Sequence, residues 1–138
     1  MRALLVALLL LFAALPAMAE DNIETTKGII ERQIDAFLKD DAETAYSFAA
    51  PGIKARYPDK DAFFAMVKKS YQPVYHPGNY AFGRNKTIDD GATILHEVII
   101  SGQDGKDWRA FYKMVRQPDG TYLIGGVVMM PETESKGI

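Results

Sequence analysis

From residue 92 to residue 130 the apolar side chains come in strand-length runs, cut at near-equal intervals by Asp90-Gly91, Asp104-Gly105 and Asp119-Gly120. Asp-Gly suits a tight reversal because glycine takes positive φ without a Cβ clash. Apolar runs between such turns predict an antiparallel meander, with strands over 92–101, 106–116 and 121–130 and a weaker first strand over 80–88. Upstream the apolar spacing becomes helical. Ile30, Ile34, Phe37 and Leu38 predict a helix over 27–39, after a short lead-in at 20–26. Ala42, Ala45, Phe48 and Ala49 line a second helix, with Asp40 as its cap, Glu43 as the reciprocal partner and Pro51-Gly52 as its stop. Residues 53–57 are long enough for one helical turn. Asp59 caps a further helix lined by Phe63, Met66, Val67 and Ser70, which ends near Tyr71 before Pro73.

Residues 71–80 gather Tyr71, Tyr75, His76 and Tyr80 around two prolines. Tyrosine rings gain by burial while their hydroxyls need partners. Two readings stand: a loop clamped over one end of the sheet, or the rim of a binding pocket.

Two-residue turns at Asp104-Gly105 and Asp119-Gly120 fix a register. They place Ile99 opposite Ala110, Glu97 opposite Tyr112 and Leu95 opposite Met114. They also place Met114 opposite Gly125, Tyr112 opposite Val127 and Ala110 opposite Met129. The face carrying Leu95, Glu97, Ile99, Trp108, Ala110, Tyr112, Met114, Leu123, Val127 and Met129 is then expected beneath the helices. A carboxylate there needs hydrogen bonds, and Tyr112 lies across from Glu97 to donate one. Glu97, Tyr112 and Trp108, with Tyr75, His76 and Tyr80, form the candidate pocket. The opposite face is also apolar. Ile94, Val98, Phe111, Val115, Ile124 and Val128 make it a candidate homodimer surface, with His96, Arg109 and Lys113 at its rim. Gly125 and Gly126 permit a bend or a close approach in the last strand.

The first nineteen residues have the layout of an export signal: Arg2, an apolar run from residue 3 to residue 15, and Ala17-Met18-Ala19 before Glu20. Cleavage after Ala19 is expected, leaving one domain over 20–132 and a tail at 133–138. A retained anchor is the competing reading, but the apolar run falls short of the roughly twenty residues a crossing needs. The chain has no cysteine, which excludes thiol catalysis and disulfides. Without Arg2 there are 15 basic and 18 acidic side chains, a poor match for nucleic acid.

Several motifs carry a resemblance: Gln33-Ile34-Asp35-Ala36-Phe37, Asp40-Asp41, Ala45-Tyr46, Phe48-Ala49, Ala50-Pro51-Gly52-Ile53 and Tyr71-Gln72-Pro73-Val74-Tyr75. Phe82-Gly83, Gly102-Gln103-Asp104-Gly105 and Arg116-Gln117-Pro118-Asp119-Gly120 continue it. Together they resemble a family of exported proteobacterial proteins, domain of unknown function 4864. The layout resembles the NTF2-like (cystatin-like) cone: an α+β fold with N-terminal helices on a curved, mainly antiparallel sheet of four or more strands. The family brings no activity with it, and fold alone assigns none.

His76 and His96 are the only histidines and lack zinc-ligand spacing, so no metal and no cofactor is expected. No nucleophile elbow surrounds any serine, and no phosphate loop is present. Arg84, Lys86, Arg109 and Lys113 form either an anion patch or the charged guard of a sheet edge, and the guard is preferred. The leading expectation is a periplasmic, non-enzymatic domain that binds a small ligand or a protein and forms a homodimer. Once the signal is removed it touches neither membrane nor nucleic acid. The alternatives are a small enzyme using Glu97, Tyr112 and His76, and a structural subunit of an envelope assembly.

Overall fold

The computed structural model describes residues 15–132, with side chains described from residue 19 onward; most of the expected leader and the expected tail lie outside the described residues. Among the described residues five helices come first: α1 Leu15–Leu38, α2 Ala42–Ser47, α3 Pro51–Arg56, α4 Lys60–Ser70 and α5 Gln72–Tyr75. Strands β1 Pro77–Ile88, β2 Thr93–Gly102, β3 Asp107–Arg116 and β4 Tyr122–Pro131 follow as one antiparallel sheet in chain order. The α+β meander is thus present, and its helices-then-sheet layout is consistent with an NTF2-like cone. No helix of the described residues is long and apolar enough to cross a membrane.

Local chemistry explains most element ends. Residues 20–26 are helix rather than lead-in, because Ile23, Thr26 and Ile30 extend the inward stripe of α1 and Thr26 is fully buried. Asp41, not Asp40, caps α2, accepting from the Thr44 N–H at 3.1 Å. Asp40 instead takes φ 55° just past the end of α1 and accepts from the Tyr75 hydroxyl. Asp59 caps α4 as expected, accepting from the Ala62 N–H at 2.7 Å. That helix buries Phe63, Phe64 and Val67, whereas Ser70 is exposed. The tyrosine-rich segment contains α5 and the start of β1, and the Tyr75 ring meets Phe64 edge-on at 5.5 Å.

The two hairpins of β3 carry one more loop residue each than expected. Gly102 N–H donates to Lys106 O at 2.8 Å, and Gly105 N–H to Gly102 O at 3.1 Å. The same pattern recurs from Gln117 to Thr121. Gly105 and Gly120 sit at φ 80° and 88°, so each loop is a three-residue turn closed by a left-handed glycine.

That extra residue turns β2 over relative to β3. Ile99 pairs with Arg109, Glu97 with Phe111 and His96 with Tyr112. Ile94, His96, Val98 and Ile100 therefore join Trp108, Ala110, Tyr112 and Met114 beneath the helices, while Leu95, Glu97 and Ile99 point outward. Of the expected dimer surface, Ile94, Val98 and Ile124 are instead core residues, at most 1% exposed. Phe111, Val115 and Val128 remain outside. In β4 the pairs Tyr112–Val127 and Ala110–Met129 are as expected, because an irregularity beside Gly125 absorbs the extra residue. Nearer the turn, Met114 faces Ile124 rather than Gly125.

Against the inner face α1 presses Ile30, Ile34 and Phe37, and Phe63 and Phe64 of α4 pack on Phe37 in turn, all buried. Burying a side chain such as Phe37 stabilises by about 1.5–3 kcal/mol. The segment between α2 and α3 protects one end of the free β4 edge: Ala50 N–H donates to Ile124 O, and Ile124 N–H to Phe48 O, each at 2.8 Å.

Candidate functional site

Beyond that protected end, β4 and the helices diverge around an open-sided cleft of about 920 Å³. Ile53, Arg56 and Tyr57 of the α3 region form one wall, and Phe63, Met66 and Val67 of α4 continue it. The other wall is residues 124–128 of β4, where Gly125 and Gly126 contribute no side chains to fill the space. Phe37, Val74 and Gln33 also line it, and the Gln33 amide is already committed to Ala45 O at 3.2 Å. At its mouth the cleft turns over the sheet edge to reach Leu95, Phe111 and Lys113 of the outer face. Six residues of helix in α3 are too few to cover a whole strand, which leaves this side of the cone open.

None of the six expected pocket residues lines this cleft. Tyr112 and Trp108 do face the helices, but they sit in packed surroundings. The Tyr112 hydroxyl and the Trp108 indole N–H are buried without a protein partner. Burial drives the Tyr112 phenol far above its usual range, so it stays protonated. Tyr80 is half-buried on the same face, opposite Ile100. Tyr75 and His76 stack at 3.9 Å and line a separate hollow of about 240 Å³ with Gln72, Pro73 and the loop Gly102, Gln103 and Asp104. The His76 ring nitrogen also lies 3.1 Å from Phe37 O.

Glu97 lies on the opposite side of the sheet from Tyr112, which corrects its expected place beneath the helices. It is 5% exposed all the same, because arginines cover it. Arg84 Nη2 donates to Glu97 Oε2 at 2.8 Å, Arg109 Nη1 to the same oxygen at 3.2 Å, and the Arg84 backbone N–H to Oε1 at 3.2 Å. Arg109 also forks on to Glu132. The hydrogen bond from Arg84, with both positive charges nearby, holds the Glu97 carboxyl below its usual range. The backbone admits this arrangement through a bulge in β1 between Phe82 and Asn85. Gly83 sits in it, and a Cβ there would overlap the Glu97 carboxylate. Arg84 and Arg109 thus form neither a free anion patch nor a mere edge guard; they neutralise Glu97.

His96 is buried at the α1–sheet interface. Thr26 Oγ1 lies 2.7 Å from its Nε2 and 2.8 Å from Asn22 O. The hydroxyl thus bridges the ring nitrogen and the helix carbonyl, and the imidazole is held neutral. Burial is the main cause, and the Lys27 charge a second, pulling its pKa down to about 4 against a weaker opposing pull from Glu24. The trio of Glu97, Tyr112 and His76 shares no site: one is outside the sheet, one in the core, one at the end of α5.

The family model described as "Domain of unknown function (DUF4864)" matches residues 19–137. The chain belongs to this family. No curated protein and no solved structure matches it. As a DUF4864 domain it comes with no assigned site, and the cleft has to be judged on its own geometry.

Its lining residues were not singled out by sequence pattern. Ile53, Tyr57, Met66 and Val127 resemble core positions in a linear reading, and the Gly125-Gly126 pair reads there as a bend or a close approach rather than as open space.

Proposed function

We propose that this DUF4864 domain is an exported, non-enzymatic binding protein that holds a small apolar molecule in the cleft between α3, α4 and β4. The observation that carries the reading is the cleft itself. Its volume of about 920 Å³ falls within the roughly 300–1,000 Å³ of small-molecule sites. Its walls are mainly Phe, Ile, Val and Met, with a few polar groups such as Tyr57, Ser70 and Tyr71. Export to the periplasm is supported by the leader-like residues 1–19. Decanol, titrated against isotope-labelled domain, is expected to give saturable amide shifts concentrated at residues 124–128 and 63–74. Absence of saturable shifts up to the solubility of the alcohol defeats the reading.

A second copy of the chain across the outer sheet face belongs to the same proposal. Four large hydrophobic side chains are strongly exposed among the described residues, and three of them, Ile99 at 40%, Val128 at 61% and Met130 at 51%, share that face. Such clustering favours a self-complementary contact. Sedimentation at tens of micromolar is expected to show a dimer that Val128→Glu with Met130→Glu converts to monomer. A wild-type monomer under those conditions removes the dimer.

A further inference from the structure

The cleft is electrostatically one-sided. The chain carries 18 acidic side chains against 16 basic ones, yet no Asp or Glu lines the cleft, while Arg56 and Lys113 do. Neither of these cations is in an ion pair among the described residues. On the outer sheet face that Lys113 shares, Arg84 and Arg109 are both engaged by Glu97. Lys113 is exposed and stands opposite Gly126, so no β4 side chain separates its stem from the mouth of the cleft. An aliphatic stem can lie along apolar surface there while its ammonium stays at the opening. Arg56, also exposed, ends α3 on the facing wall. Its position in the last turn suits the helix dipole in any case, but the missing carboxylate partners on both walls need a different reason.

Building on the small-molecule reading above, we propose that the occupant is an amphiphile with an anionic head, a carboxylate on an aliphatic body. Lys113 and Arg56 receive the head at the mouth, and the body lies between Val67, Phe63 and Val127. Charge-assisted hydrogen bonds at a partly desolvated mouth select for the anion. The apolar walls supply affinity with little chemical discrimination.

Three probes of one chain length test this on the full mature domain: decanoate and decyltrimethylammonium below their micelle concentrations and decanol below its solubility, followed by amide shifts and calorimetry. Decanoate is expected to bind at least about tenfold more tightly than decanol, and the cation most weakly. Raising the salt concentration is expected to weaken decanoate binding and leave decanol binding unchanged. In the double variant Arg56→Gln, Lys113→Gln the preference for decanoate is lost, with the melting temperature unchanged because both side chains are exposed and, among the described residues, in no ion pair. If wild type binds decanoate and decanol alike, or the double variant keeps the preference, the anionic assignment is overturned and the small-molecule reading stands. If no probe binds, both are overturned.

Discussion

Replacing Glu97 with alanine is expected to cost about 2–3 kcal/mol in urea unfolding, while leaving decanol affinity unchanged. The carboxylate is almost completely buried and receives four hydrogen bonds, three from the side chains of Arg84 and Arg109 and one from the backbone at the β1 bulge. Removing it leaves Arg109 with Glu132 alone and strips the Arg84 N–H of its acceptor. Breaking a fully buried charge pair costs about 3–5 kcal/mol, and the exposure of Arg84 lowers the figure here. Glu97→Gln keeps one acceptor oxygen and should cost about half as much. A general base in an enzyme site behaves in the opposite way: its loss abolishes turnover and leaves stability nearly intact. An unchanged unfolding midpoint in Glu97→Ala therefore contradicts a structural role for this cluster.

Acid is expected to weaken the fold through His96. In the unfolded chain the imidazole takes up a proton near its ordinary pKa of 6.5, whereas in the folded protein it does so only near 4. Protonation thus favours unfolding throughout that interval. The contribution is whole above pH 6.5 and is lost as the pH falls to 4, amounting to about 2–3 kcal/mol. Carboxylates also titrate toward the lower end of this window, Glu97 below its usual range because the arginines favour its charged form. The difference between wild type and His96→Gln isolates the histidine. Its stability curve should be flatter by that amount between pH 6.5 and 4. Where the variant folds poorly, the ring proton shifts of His96 in the wild type give its pKa directly. A midpoint near 6.5 contradicts the neutral, buried assignment.

The element order was readable because Asp-Gly pairs and helical spacing are local signals. The sheet faces were not read correctly, and the cause is one residue. Reading Asp104-Gly105 as a two-residue loop put Glu97 beneath the helices and Val98 on the outer face, whereas the three-residue loop from Gln103 to Gly105 exchanges the two faces. A sequence signal existed in the second hairpin. Pro118 fits the second position of a type I turn, with Asp119 third and Gly120 fourth, and so pointed to the longer loop. Alternation within β2 was a second clue: Ile94, Val98 and Ile100 share a face with His96, which is cheaper to bury neutral than Glu97 is to bury charged. The cleft was not legible at all. It arises where a short α3 fails to cover β4, a relation between elements distant in the chain that no local pattern encodes.

The most direct measurement is a crystal structure of the domain, secreted by a native host and purified without detergent or solvent, with attention to the space between α4 and β4. Continuous density of an elongated small molecule between Val67 and Val127, its polar end toward Lys113, is the expected result. A cleft closed by Met66 and Tyr71 packed against Gly125 and Gly126 contradicts the account.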